Sequence, residues 1–143
     1  MKIMAVDYGD ARTGLAVCDR TETLSSPVGV IEEKSMAKVA QQIIHASREF
    51  EVKLVVLGLP RNMDGSEGAR AQKTRKLGGI LENLLEVPLA YWDERGTTKS
   101  AEGLLGDAGA YGKKRKALVD AVAATVILDS YLAHRRGQAA GSP

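Results

Sequence analysis

The sequence predicts an α/β sandwich around one mixed sheet, with helices on both faces. Three observations carry that expectation. Short apolar runs and stretches of helical spacing follow one another as three strands, helix, strand, helix, strand, helix. The first three runs are joined by short connections, as in an antiparallel meander, whereas the later ones are reached through helices and should pair in parallel by right-handed crossovers. The last helix is apolar nearly all round in its middle, from Val119 to Leu128 except for Asp120 and Thr125, as a helix buried on most of its surface is.

In chain order, Lys2 to Asp7 reads as a strand buried on both faces that stops on a carboxylate, followed by a turn bracketed by Gly9 and Gly14. Leu15 to Asp19 is the second strand, and Val28 to Ile31 the third after the turn signal Ser25-Ser26-Pro27. Ser35 is expected to cap a helix whose stripe is Met36, Val39, Ala40, Ile43, Ser47 and Phe50, with His45 beside it as a structural or surface histidine. Lys53 to Gly58 is a strand, Arg70 to Leu85 a helix with Leu77, Ile80, Leu81 and Leu84 inward, and Val87 to Trp92 a strand whose early proline suits its start. A short helix over Thr98 to Leu105, a loop from Gly106 to Lys116 and a helix from about Lys116 to His134 complete a domain expected over residues 1–136. Residues 137–143, small and polar, are expected to form a disordered tail.

At 143 residues the chain fits one domain with a proper core. Its net charge of +2 neither favours nor excludes a nucleic-acid partner, so charge placement must carry that question. A single cysteine, Cys18, forbids an intrachain disulfide and reads as a small strand residue. No signal-like leader precedes the first strand, and no apolar run approaches the ~20 residues of a membrane span, so a cytoplasmic protein with no membrane partner is expected.

The acids carry the chemistry. Asp7 and the pair Asp93-Glu94 each stand where an apolar strand stops, and ligands of open α/β sheets gather at the carboxyl ends of strands. Asp120 shares a helix face with Ala124, Ile127 and Tyr131, whereas Asp129 points the other way. Three carboxylates brought together repel by about 4 kcal/mol per pair at ~4 Å and an effective dielectric of ~20. Either some are protonated or a divalent cation joins them, and an oxygen-only set favours Mg²⁺ or Mn²⁺ over zinc. Two such ions form the clamp used for in-line attack on a phosphodiester. The competing reading leaves the acids unrelated: Asp7 a turn residue, Asp93-Glu94 paired with Arg95, and Asp120 a helix cap.

Cations near the same strand ends suit phosphate. Arg12, Arg61 and Arg95 follow strands, and Lys113-Lys114-Arg115-Lys116 precedes the last helix, which together make an electrostatic track for a nucleic-acid backbone or else ordinary surface charge. Asn62, Asp64, Gly65 and Ser66 form a polar turn that can bond phosphate or sugar oxygens, or only shape its loop. Aromatics are few, Tyr8, Tyr91 and Trp92 being nearest, so backbone and shape recognition is expected rather than base readout.

Asp7 to Ala16, Gly58 to Gly68, Trp92 to Thr98 and Asp120 to Ala124 together resemble the four signatures of the YqgF/RuvX family, and the similarity spans nearly the whole chain apart from its tail. The resemblance implies an RNase H-like fold, a mixed five-stranded sheet with helices on both faces, and a metal-dependent nuclease holding Mg²⁺ or Mn²⁺, expected as two ions. Its substrate would be structured RNA, with 5′-end maturation of precursor 16S rRNA in ribosome biogenesis foremost, or branched DNA as in Holliday junction resolution. Ribosomal particles are further expected partners of a monomer or homodimer. By matching positions Asp7 and Asp120 would bind metal, with the third acid from Asp93-Glu94. Glu94 is preferred because it reaches further past the strand end, and Asp93 stays a candidate. Arg12, Arg61, Asn62, Arg95, Thr98, Lys114, Arg115 and Lys116 would contact nucleic acid. Ala117 stands where relatives often carry another lysine, a departure that touches affinity. Two other classes compete: a non-catalytic nucleic-acid-binding module, and an ATP-using enzyme of the actin-like kind, for whose second lobe the chain has no room.

Overall fold

A computed structural model describes residues 1–94 and 112–141, with residues 112–121 and 138–141 of the last helix described by their backbone alone. The strands are β1 (Ile3–Asp7), β2 (Arg12–Cys18), β3 (Ser25–Glu32), β4 (Leu54–Leu59) and β5 (Leu89–Asp93), and the helices α1 (Met36–Glu49), α2 (Ala69–Leu84) and α3 (Gly112–Gly141). One five-stranded sheet runs in the order β3-β2-β1-β4-β5. The meander pairs antiparallel, and β1 with β4 and β4 with β5 pair in parallel, as the short and the helical connections dictate.

Alternation along the central strands divides the core. Met4, Val6, Val55 and Leu57 face α1 and α2, where Val39, Ile43, Leu77 and Leu81 meet them. Ile3, Ala5, Leu54 and Val56 face α3 through Ala124, Ile127, Leu128 and Leu132. Strands buried on both faces explain why β1 and β4 read as unbroken apolar runs.

Several local expectations are corrected. Gly14 is not in the turn: β2 begins at Arg12 and sets Gly14 opposite Asp7, leaving a tight turn over Tyr8–Ala11. That turn needs Gly9, where a Cβ would strike the Arg12 carbonyl oxygen. Ser25-Ser26-Pro27 belongs to β3, because an edge strand tolerates proline and the register shift between Leu15 and Ala16 absorbs the extra residue. Ser35 does cap α1, its hydroxyl accepting from the Lys38 N–H at 3.4 Å. Leu84 is exposed, and the inward stripe of α2 is Ala71, Thr74, Leu77, Gly78 and Leu81.

The last helix starts at Gly112, where a loop was expected, and continues through Gly137 to Gly141, where a disordered tail was expected. Lysine, arginine, alanine and glutamine are good helix formers, and extending an existing helix needs no new nucleus. The predicted helix over Thr98 to Leu105 lies outside the described residues. Among the described residues no helix is long and apolar enough to cross a membrane.

Candidate metal and nucleic-acid site

The site is built at the carboxyl ends of β1, β4 and β5. Asp7 ends β1 on the α3 face, in step with Ile3 and Ala5. Gly58 of β4 lies level with it, one step past the Val6–Leu57 pair, and opposite Trp92 of β5. Two residues beyond Trp92 comes Glu94, on the same face, its N–H donating to the Leu59 carbonyl at 3.2 Å. A Cβ on Gly58 would strike Glu94 Oε2 and come within 2.7 Å of Ile127 Cδ1. The Glu94 carboxylate therefore lies across Gly58, in the gap between its own strand and that of Asp7.

Glu94 is 7% exposed. Burial pushes its carboxyl up to about 6; the Arg70 guanidinium pulls it back and the neighbouring Asp93 charge pushes it further up. Arg70, at the start of α2, also donates to the Tyr8 carbonyl at 3.2 Å, which ties α2 to the turn after Asp7.

Asp93 points the other way. One step from Glu94 along an extended chain, it takes the α2 face and lies 3.9 Å from Arg61 Nη1. Arg61 is also 3.5 Å from Glu67. Arg12, two residues before Gly14 and so on the same face of β2, sits just beyond the Asp7–Gly14 pair.

Ile127 rests against Gly58, and Arg135, two turns later, meets Glu22 at the opposite end of the sheet. Helix α3 thus runs antiparallel to β1, and its earlier turns extend towards the carboxyl pole. Residue 120 stands about 10 Å before Ile127 along the helix axis, at ~1.5 Å per residue. The side chains of Asp120, Lys114, Arg115 and Lys116 lie outside the described residues, as do Arg95 and Thr98.

Other candidates have structural duties. Asn62 Nδ2 donates to Ser66 Oγ at 2.9 Å, and Ser66 donates to Asp64 Oδ1 through its N–H at 2.9 Å and its hydroxyl at 2.6 Å, so the turn after β4 binds itself into shape. Tyr8 is core. Tyr91 lies under Arg75 and against Gly78. Trp92 donates to Ser130 Oγ at 3.1 Å and packs on Tyr131. Tyr8 is committed to the core, and Tyr91 and Trp92 are half-buried, each with one side taken by these contacts. His45 is exposed, 3.9 Å from Glu49, and Cys18 is buried in the sheet.

Sequence reasoning passed over Gly58 as a site residue and missed Arg70. The first could be found as a glycine inside a buried strand, which marks a close approach; the second carries no local signal, because its role comes from α2 packing beside β1.

The donor chemistry fits a hard divalent cation. Both acids offer oxygen, and the missing Cβ at Gly58 makes room for the Glu94 carboxylate over the strand next to that of Asp7. A cation there would also relieve the unfavourable burial of Glu94. Among the described residues no group of three or more acidic, His or Cys side chains gathers that could hold a metal. The third expected carboxylate, that of Asp120, is outside that set.

A mixed sheet in this order, with α1 and α2 on one face and α3 on the other, defines an RNase H-like α/β protein. It is similar in fold to Thermus thermophilus RuvC, with a TM-score of 0.58 at 14% identity over 96% of this chain and 97% of that one. Fowlpox virus resolvase, solved with substrate Holliday junction DNA, gives a TM-score of 0.59 at 12% identity, covering 94% of this chain and 99% of the resolvase. The chain belongs to the RuvX family, described as Holliday junction resolvase, whose model matches residues 1–134. Relatives named "Putative pre-16S rRNA nuclease" include one from Halothermothrix orenii, 41% identical over 92% of this chain and 94% of its own length. Another, from Crocosphaera subtropica, is 40% identical over 93% of each chain.

Proposed function

We propose that this chain is a divalent-metal-dependent nuclease that cleaves RNA phosphodiester bonds in the 5′-end maturation of precursor 16S rRNA, in the cytoplasm. The observation that carries the reading is the pair Asp7 and Glu94, brought to one face at the ends of the two strands that flank β4, with Gly58 of β4 kept bare between those strands. Relatives of near-equal length that bear the rRNA nuclease name support the choice of polymer.

Asp7, Glu94 and Asp120 would hold Mg²⁺ or Mn²⁺, with Asp93 directed elsewhere. Bound there, two such ions would supply an attacking hydroxide and stabilise the leaving oxygen. Glu94 must lose its proton to serve as a ligand, which burial resists below about pH 6 and a cation promotes. Arg12 and Arg61 would hold the scissile strand by its phosphates, with Arg95, Thr98, Lys114, Arg115 and Lys116 extending that hold; Asn62 acts mainly by shaping the loop that carries Arg61. With few aromatics nearby, and Tyr8 packed in the core, recognition rests on backbone and shape.

Resolution of four-way DNA junctions is the second reading, favoured by the family description. It would require a homodimer presenting two sites spaced to match the paired strands, a requirement that rRNA trimming does not carry. The decisive experiment offers precursor rRNA and a four-way DNA junction side by side to the purified protein, with Mg²⁺ and with Mn²⁺. Cleavage of rRNA alone supports the proposal; cleavage of the junction alone reverses it. Binding with no cleavage of either reduces the protein to a non-catalytic module.

A further inference from the structure

The two acids that end β5 part company. Glu94 turns to the α3 face and Asp93 to the α2 face, where a chain of charges begins. Asp93 lies 3.9 Å from Arg61 Nη1, and Arg61 Nη2 lies 3.5 Å from Glu67 Oε2. Glu67 in turn accepts a fork from Arg75, at 2.5 Å from Nε and 2.7 Å from Nη2. Arg75 covers the Tyr91 ring at 5.1 Å, and Tyr91 fits against α2 only because Gly78 has no side chain. The chain thus leaves β5, crosses the loop after β4, reaches α2 and returns to β5.

Its links differ in strength. Bidentate bonding commits Arg75 to Glu67. Arg61 is held from two sides at distances longer than hydrogen bonds, and its side chain stays 34% exposed. Such a guanidinium is aimed without being saturated, and its donors can still take a phosphate. Its mount is firm, since the Asn62–Ser66–Asp64 bonds close the loop on itself. Leu59, two residues before Arg61, accepts the Glu94 N–H, which fixes the spacing between this cation and the buried acid.

We propose that Asp93 is a positioning residue for Arg61 and not a metal ligand: with Glu67 it aims the guanidinium at a substrate phosphate on the α2 side of the site. This rests on the nuclease reading above.

Plain electrostatics and positioning predict opposite signs. Removing a negative charge near the site should tighten RNA binding if Asp93 is a bystander. Positioning predicts that Asp93→Asn weakens RNA binding, measured in EDTA, by about threefold to fivefold, with Mn²⁺ affinity by titration calorimetry unchanged. Arg61→Ala should weaken it at least as much and lower the salt dependence by about one counterion, and Asp93→Asn should add nothing in that background. Glu67→Gln, which breaks the other tether, should also weaken RNA binding. Unchanged or tighter binding by Asp93→Asn overturns the proposal, as does loss of Mn²⁺ binding in that variant. Full cleavage by Glu94→Gln would sink the nuclease site instead, and leave the coupling of Asp93 to Arg61 standing on the binding data.

Discussion

Glu22 at the amino pole of the sheet and Glu94 at the carboxyl pole are treated in opposite ways. At the amino pole Glu22 accepts from the Met1 ammonium at 2.9 Å and from Arg135 at 2.8 and 3.3 Å, while its carbonyl accepts from Arg136 at 3.3 Å. The Arg135 hydrogen bond, ahead of the other influences, holds the Glu22 carboxyl below its usual range. At the carboxyl pole burial drives Glu94 up to about 6. A carboxylate whose charged form is favoured by its partners staples elements together; one buried at a cost to its charged form stands where a bound cation would offset that cost.

The sharpest way to break the contrast is to neutralise the two acids on the α3 face of the carboxyl pole. Asp7→Asn and Glu94→Gln should each reduce metal-dependent cleavage by more than about 100-fold, since even outer partners of metal ligands are worth ~10–100-fold. For Glu94 the effect on folding should run against the effect on activity. Glu94 has a folded value of about 6 against 4.5 for the ordinary side chain, so between those values the folded state holds more protons than the unfolded one. Stability then falls as pH rises through that window, and above it the charged Glu94 costs up to about 2 kcal/mol. Glu94→Gln should therefore melt at a higher temperature than the parent above pH 6 without divalent metal, with the gain fading on acidification. A variant that melts lower at every pH would show that Glu94 is a structural acid like Glu22.

Gly58→Ala tests the room left for the Glu94 carboxylate with both acids retained. The new methyl must displace the Glu94 carboxylate or Ile127, and both lie between sheet and helix. Overpacking of this kind costs about 1–3 kcal/mol, and a displaced ligand should lower cleavage by roughly 10–100-fold. The check is a melt and a rate on the same sample. Unaltered kinetics would mean that Glu94 works from another position.

The poles are unequally legible in the sequence. Apolar runs ending on Asp7 and Asp93-Glu94 mark the carboxyl pole, because an acid at the end of a two-sided strand is a local signal. The choice between Asp93 and Glu94 rests on reach in the sequence, and alternation along the strand separates them by face. Arg70 is invisible there: nothing near it in sequence says that it faces the Tyr8 carbonyl, 62 residues away. Gly14 misleads, because a glycine two residues after Arg12 looks like a turn even when it pairs with Asp7. The amino pole leaves no local trace. Glu22 follows Thr21 in a polar turn, and its partner Arg135 lies 113 residues on, a pairing that only the antiparallel run of α3 creates.

That hidden pole supplies the smallest expected effect. Glu22→Gln keeps the shape of the side chain and removes the charge that Met1 and Arg135 share. An ion pair at a partly exposed site contributes about 1 kcal/mol or less, so the melting temperature should drop by only a few degrees near neutral pH. The pH dependence has the opposite sign to that of Glu94. Because the folded value of Glu22 lies below the ordinary 4.5, its contribution is complete above that value and is lost as pH falls through the folded one. The gap between parent and variant should close in acid, whereas cleavage per folded molecule should match the parent throughout. A change in cleavage or metal affinity in Glu22→Gln would mean that α3 carries the state of its far end to the acids, and the two poles would have to be treated as one site.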